Sequence, residues 1–125
     1  MFIETALFLA MASSSLAGLP TPDIEKQYVK SQIELVATDQ GVDPELALKV
    51  AKCESGYVST AKGDKGQSYG TYQFKLKTFE NFKTEAKRQE LDRKDTEDNI
   101  WLGIWGLKNG KQSHWSCFKK IYGSR

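Results

Sequence analysis

Apolar residues recur along this chain at helical spacing, in stretches separated by glycine and proline. Ile24, Tyr28, Val29, Ile33, Val36 and Ala37 fall on one face of a helix that opens at Thr21-Pro22-Asp23 and stops at Gly41. Val42-Asp43-Pro44 opens a second helix after a very short connection, so the two should pack as neighbours. Asp43 is placed to cap it, Pro44 suits the first helical position, and Glu45 complements the dipole. Ala47, Val50 and Ala51 form its apolar stripe. The pattern then changes. Gly63, Gly66 and Gly70 break helix, while Tyr69, Thr71, Tyr72 and Phe74 favour extended chain, which predicts a loop or small hairpin. Thr78 is placed to cap a third helix carrying Phe79, Phe82 and Ala86, followed by a mixed-charge run at 87–94 that reads as solvated surface. Asp95 or Thr96 opens a fourth helix with Ile100, Trp101, Ile104 and Leu107 on one face, stopped by Asn109-Gly110. Ser113 is placed to cap a last short helix holding Trp115, Phe118 and Ile121. The pattern predicts a mainly α fold of five or so helices, with a small extended or hairpin region after the second.

One polar residue interrupts the apolar stripe of the second helix. Glu54 lies seven residues after Ala47 and four after Val50, where the pattern asks for a core residue. Gly56, two residues on, can end the helix in the left-handed conformation. Glu54 is thus expected in the last turn, half-buried, near the negative end of the dipole. Desolvation and the dipole both favour its protonated form. A carboxylic acid kept neutral near about pH 6–7 suits general-acid cleavage of a glycosidic bond. By position alone, a glutamate at a helix end is more often solvated and without a role.

The segments around Glu54 add a second kind of information. Glu54-Ser55 ends a helix, a small loop follows, and Gly70-Thr71-Tyr72-Gln73 supplies a Gly-x-x-Gln segment. Further on, Asn99 is followed four residues later by Gly103 in a helix. In this order and spacing the chain resembles the lysozyme-like lytic transglycosylases of the soluble lytic transglycosylase (SLT) type, over roughly Ile24 to Tyr122. The resemblance implies a lysozyme-like α+β domain that cleaves the β-1,4 bond between N-acetylmuramic acid and N-acetylglucosamine in peptidoglycan. It implies Glu54 as the catalytic acid and base, with Ser55 orienting it. It places Ser68, Gly70, Tyr72 and Gln73 along a substrate cleft, with Tyr57 and Asn99 as further candidates. Gln73 suits recognition of an acetamido or hydroxyl group, although a surface amide is the plainer assignment. Tyr57, Tyr69 and Tyr72 are compatible with stacking on sugar faces and equally with a local core.

Composition narrows the remaining classes. The 125 residues fit one small domain, and 39% hydrophobic with 27% charged residues is ordinary for a soluble globular protein. A net charge of +2 gives no argument for nucleic acid and is compatible with an anionic cell-wall polymer without demonstrating one; the resemblance implies glycan strands as the partner, and a monomer is expected. One histidine, His114, and two cysteines make a metal site implausible, and no cofactor motif is present; His114 is expected at the surface. Residues 1–17 read as a secretory signal: the apolar run Ala6–Ala12 is too short to span a bilayer, and Ser15-Leu16-Ala17 offers small residues for cleavage. The absence of Lys or Arg from Met1-Phe2-Ile3-Glu4 leaves an uncleaved apolar helix or anchor as the alternative. Cleavage would start the mature domain, 18–125, at Gly18. For an exported chain a Cys53–Cys117 disulfide is the natural expectation, with two separate buried thiols as the alternative. Trp115-x-Cys117 after a Gly-containing turn resembles the ending of small bacterial lysozyme-like domains, which favours the bridge.

Two other functions remain open at this point. A lysozyme- or chitinase-like hydrolase would need a second carboxylate, for which Asp64 is the best candidate, although Asp64 also suits a plain turn between Gly63 and Gly66. A non-catalytic peptidoglycan-binding module would keep the cleft but would have no need of Glu54.

Overall fold

The computed structural model describes residues 21–123, so the expected signal segment at 1–17 and the Gly18 start lie outside the described residues. The chain forms α1 (Thr21–Gln40), α2 (Pro44–Ser55), β1 (Lys62–Gly63), β2 (Ser68–Tyr69), β3 (Phe74–Lys75), α3 (Leu76–Glu85), α4 (Thr96–Lys108) and α5 (Ser116–Tyr122). One-turn 3₁₀ segments occupy Asp64–Gly66 and Gln112–His114. The three short strands make an antiparallel sheet in the order β1-β2-β3, with Gly63 opposite Ser68 and Tyr69 opposite Phe74. The mainly α lysozyme-like fold expected from the sequence is the one found, and the extended region after the second helix is this sheet.

The second helix begins, and the first two helices end, where their signals lie. Gly41 turns in the left-handed region at φ 77°, and the Val42 N–H donates to Ala37 O, which folds α2 back beside α1. The Asp43 carboxylate accepts from the Glu45 N–H at 3.0 Å, and Gly56 at φ 62° donates to Lys52 O. Val29, Ile33 and Ala37 of α1, Ala47, Val50 and Ala51 of α2, and Ile100, Ile104 and Leu107 of α4 share one core. α4 is buried on more than one face: Leu102, Gly103 and Gly106 are buried as well.

Three local expectations are corrected. Thr78 does not cap the third helix. α3 starts at Leu76 directly from β3, and Thr78 is its third residue. Ser113 does not cap the last helix either. Trp115 is buried and its indole N–H donates to Tyr72 O at 2.9 Å, which holds residue 115 extended and delays α5 to Ser116. The charged run at 87–94 is not merely solvated. Leu91 is buried, and the Arg93 guanidinium donates to both Gln67 O and Phe74 O at 3.0 Å, fastening this connection to the sheet.

Asn99 is the most heavily used polar group of the core. It is 1% exposed. Its Oδ1 accepts from the Tyr72 N–H at 3.0 Å, while its Nδ2 donates to Tyr69 O and Arg93 O at 3.1 and 3.0 Å. Asn99→Ala would strand the buried Tyr72 N–H and remove the donor from two carbonyls. The stranded amide alone costs about 1–3 kcal/mol, so urea denaturation should show a loss of at least that size.

Candidate active site

A cleft of about 620 Å³ opens between the end of α2, the sheet, the start of α3 and the start of α5. Glu54, Asp64, Ser68, Gln73, Lys75 and His114 are among its lining residues, together with the Cys53–Cys117 bridge and Lys120. Its size is in the range of small-ligand sites.

Glu54 reaches the cleft because the α2 stripe runs past the end of the core. Ala47, Val50 and Ala51 are fully buried, and Glu54, on the same face, is half-buried. Burial pushes its carboxyl above the ordinary value of 4.5. The backbone N–H of Cys117 and the Lys120 ammonium oppose that shift, and the Asp64 charge adds to it. The group is a poised acid held between opposing fields. Ser55 donates its hydroxyl to Ala51 O at 3.2 Å, a bond within the helix, and does not line the cleft.

The sheet supplies the facing wall. Asp64 is exposed, adopts φ 49°, and its Oδ2 accepts from Ser68 Oγ at 2.7 Å. Gln73, at φ 49°, donates Nε2 to Ala61 O and Gly70 O at 3.0 and 2.8 Å. Those two bonds direct its amide hydrogens into the loop and leave Oε1 as the atom available to a ligand. A Cβ on Gly63 would overlap that oxygen, so glycine there keeps it in place.

Tyr72 and Asn99, expected along the cleft, are instead behind it. Tyr72 is fully buried, its hydroxyl donating to Ala47 O at 2.8 Å, and Asn99 holds its backbone N–H. Gly103 gives the Tyr72 ring its space, since a Cβ at 103 would overlap the ring. Gly70, also buried, backs onto Asn99 at φ 88°. Tyr72, Asn99 and Gly70 thus support the cleft and do not face a ligand. Tyr57 lies outside the lining residues, with the Lys30 ammonium 5.0 Å from its ring centre.

His114, expected at the surface, belongs to the cleft wall. It is half-buried, stacked on Phe74 at 6.0 Å and edge-on to Trp115 at 5.0 Å, and it lines the cleft. Burial, and secondarily Lys75, lower its pKa, so the ring is neutral at neutral pH. Its neighbour Phe74 is 40 positions away, and only its adjacency to Trp115 hinted at burial.

Cys53 and Cys117 are joined, with Cα atoms 5.9 Å apart, so the bridge fastens α5 to α2 next to Glu54. A match to the transglycosylase SLT domain family covers residues 31–116, more than half of the chain. The chain belongs to the transglycosylase SLT family. No curated protein and no solved structure gives a significant match. Membership places this SLT domain among peptidoglycan lytic transglycosylases and makes peptidoglycan the substrate it implies. The match spans the second half of α1 through the first residue of α5, and so contains the Glu54 helix end, the sheet and the Asn99–Gly103 turn of α4.

Proposed function

We propose that this SLT domain cuts the bond between N-acetylmuramic acid and N-acetylglucosamine with Glu54 as its single acid and base, and releases a 1,6-anhydro sugar. The supporting observation is the half-buried Glu54 carboxyl, raised by desolvation, at the wall of a cleft whose other acid, Asp64, is exposed and engaged by Ser68. Protonated Glu54 gives its proton to the bridging oxygen as the C1–O bond breaks. The substrate's own acetamido oxygen stabilises the cation at C1. Glu54, now a carboxylate, removes the proton of the muramic C6 hydroxyl, and O6 closes on C1. The proton returns to Glu54 and no water is consumed. Ser68 and the Gln73 oxygen are placed for sugar hydroxyl or acetamido groups. The domain works as an exported monomer on glycan strands.

A hydrolytic alternative has one specific support: Asp64 shares the cleft and its charge reaches Glu54. Asp64→Asn separates the two. For the transglycosylase, it keeps most of the activity, and fragments released from purified peptidoglycan are lighter by one water than hydrolysis products. Removing the Asp64 charge also lowers the Glu54 pKa, so the alkaline limb of the pH profile moves to lower pH. Lys120→Ala removes an opposing charge and moves the limb the other way. Reducing-end products from the wild type, with an inactive Asp64→Asn, would establish the hydrolase.

A further inference from the structure

The Glu54 cleft has one wall that the cleavage chemistry leaves unused. Lys75, Thr78 and His114 line it, from the end of β3, the first turn of α3 and the 3₁₀ turn before α5. Lys75 is exposed and forms no salt bridge among the described residues. The two lysines of the cleft act on different groups. Lys120 bears on Glu54, whereas Lys75 bears on His114. The His114 ring is held by Phe74, Phe82 and Trp115, and its nitrogens have no partner among the described residues. The first turn of α3 contains no acidic residue, so the helix itself offers Lys75 no carboxylate.

A free ammonium beside a hydroxyl and a neutral imidazole, with no carboxylate among them, suits a ligand carboxylate. The N-acetylated sugar rings of peptidoglycan are uncharged. Its carboxylates are carried on the lactyl arm of the muramoyl residue, either on the peptide stem or, once the stem is removed, on the lactyl group itself. That arm is borne at C3 of the same muramoyl ring whose C1–O bond is cut. We propose that Lys75, Thr78 and His114 form a subsite for a carboxylate on the muramoyl arm, so that this domain selects acid-bearing glycan over neutral N-acetylglucosamine polymers. The inference rests on assigning the cleft to peptidoglycan.

Binding, measured by calorimetry in the full chain carrying Glu54→Gln, tests it without turnover. The probes are soluble glycan fragments with intact stems, the same fragments after amidase treatment, and N-acetylglucosamine oligomers of equal length. The expected result is a Kd about tenfold lower for at least one acid-bearing fragment than for the neutral oligomer, as one charge-assisted hydrogen bond provides. Adding Lys75→Ala removes that difference and leaves neutral-oligomer binding unchanged. Adding Lys77→Ala, which alters an exposed neighbour outside this cleft, preserves the difference. Tighter binding of the intact fragment assigns the subsite to a stem carboxylate, and tighter binding of the treated fragment assigns it to the lactyl carboxylate. Equal affinity for all three probes, no binding of any, or equal weakening of all three by Lys75→Ala would overturn the proposal. Product mass from the wild type decides the cleavage chemistry independently.

Discussion

Glu54→Gln should abolish lysis of purified peptidoglycan while leaving a folded protein of equal or greater stability. The amide can neither donate nor recover a proton, and a positioned general acid–base contributes about 10²–10⁴-fold. Turbidity clearing of cell-wall substrate measures the loss. The stability change has a definite sign. Burial raises the Glu54 pKa above its unfolded value of 4.5. Its stabilising contribution is therefore full below that value and is lost as pH rises through the folded pKa. At neutral pH the ionised, partly desolvated carboxylate disfavours the fold relative to a neutral amide of the same shape. The melting temperature of Glu54→Gln should match or exceed that of the wild type at neutral pH, and the difference should disappear in acid. A variant that loses activity together with its cooperative melting transition would show instead that Glu54 holds the fold.

Opening the Cys53–Cys117 bridge should have the largest effect on stability. The bridged residues are 64 positions apart. Closing a loop of that length restricts the unfolded chain enough to stabilise the fold by about 4 kcal/mol. For a domain of this size that corresponds to a fall in Tm of about 15–25 °C, which calorimetry of the Cys53→Ser/Cys117→Ser chain would read. Activity should fall as well, below the melting transition. α5 is seven residues long and carries both the Cys117 N–H and the Lys120 charge that bear on Glu54. Without the bridge, its hold on α2 depends on the packing of Phe118 and Ile121. Unchanged stability after substitution would mean that the bridge adds nothing to the described fold.

What the sequence disclosed depended on whether the determining forces were local. The α1–α2 pair was legible because capping side chains, glycine stops and apolar spacing all agree within a few residues. Glu54 stood out because it breaks a stripe whose other members, Ala47, Val50 and Ala51, are all buried. Thr78 and Ser113 do not act as the expected caps because tertiary ties fix both starts: β3 runs straight into α3, and Trp115 is held by Tyr72. Tyr72 and Asn99 were assigned to the right region but the wrong layer. Neither residue type reveals whether its polar atoms face a ligand or the backbone, and here they bond Ala47 O, Tyr69 O, Arg93 O and the Tyr72 N–H. His114 reads as a surface residue from its local sequence, and lines the cleft because its ring is held by Phe74 and Phe82 from a distant part of the chain.

The Tyr72 position joins more of the molecule than any single bond suggests. Its hydroxyl grips α2, its N–H is held by α4, and its carbonyl receives the Trp115 indole that leads into α5. Three helices are thus keyed to one residue directly behind the cleft, while the Asp64–Gly66 turn on the rim has positive φ at all three residues and a single side-chain tie to Ser68. Tolerance to sequence change should divide along the same line. Drift at 65–66 can reshape the rim while leaving the Asp64 charge that bears on Glu54 in place, whereas drift at Tyr72, Asn99 or Gly103 would shift the helices that position Glu54. A domain built this way can diversify along its rim while the placement of Glu54 stays fixed.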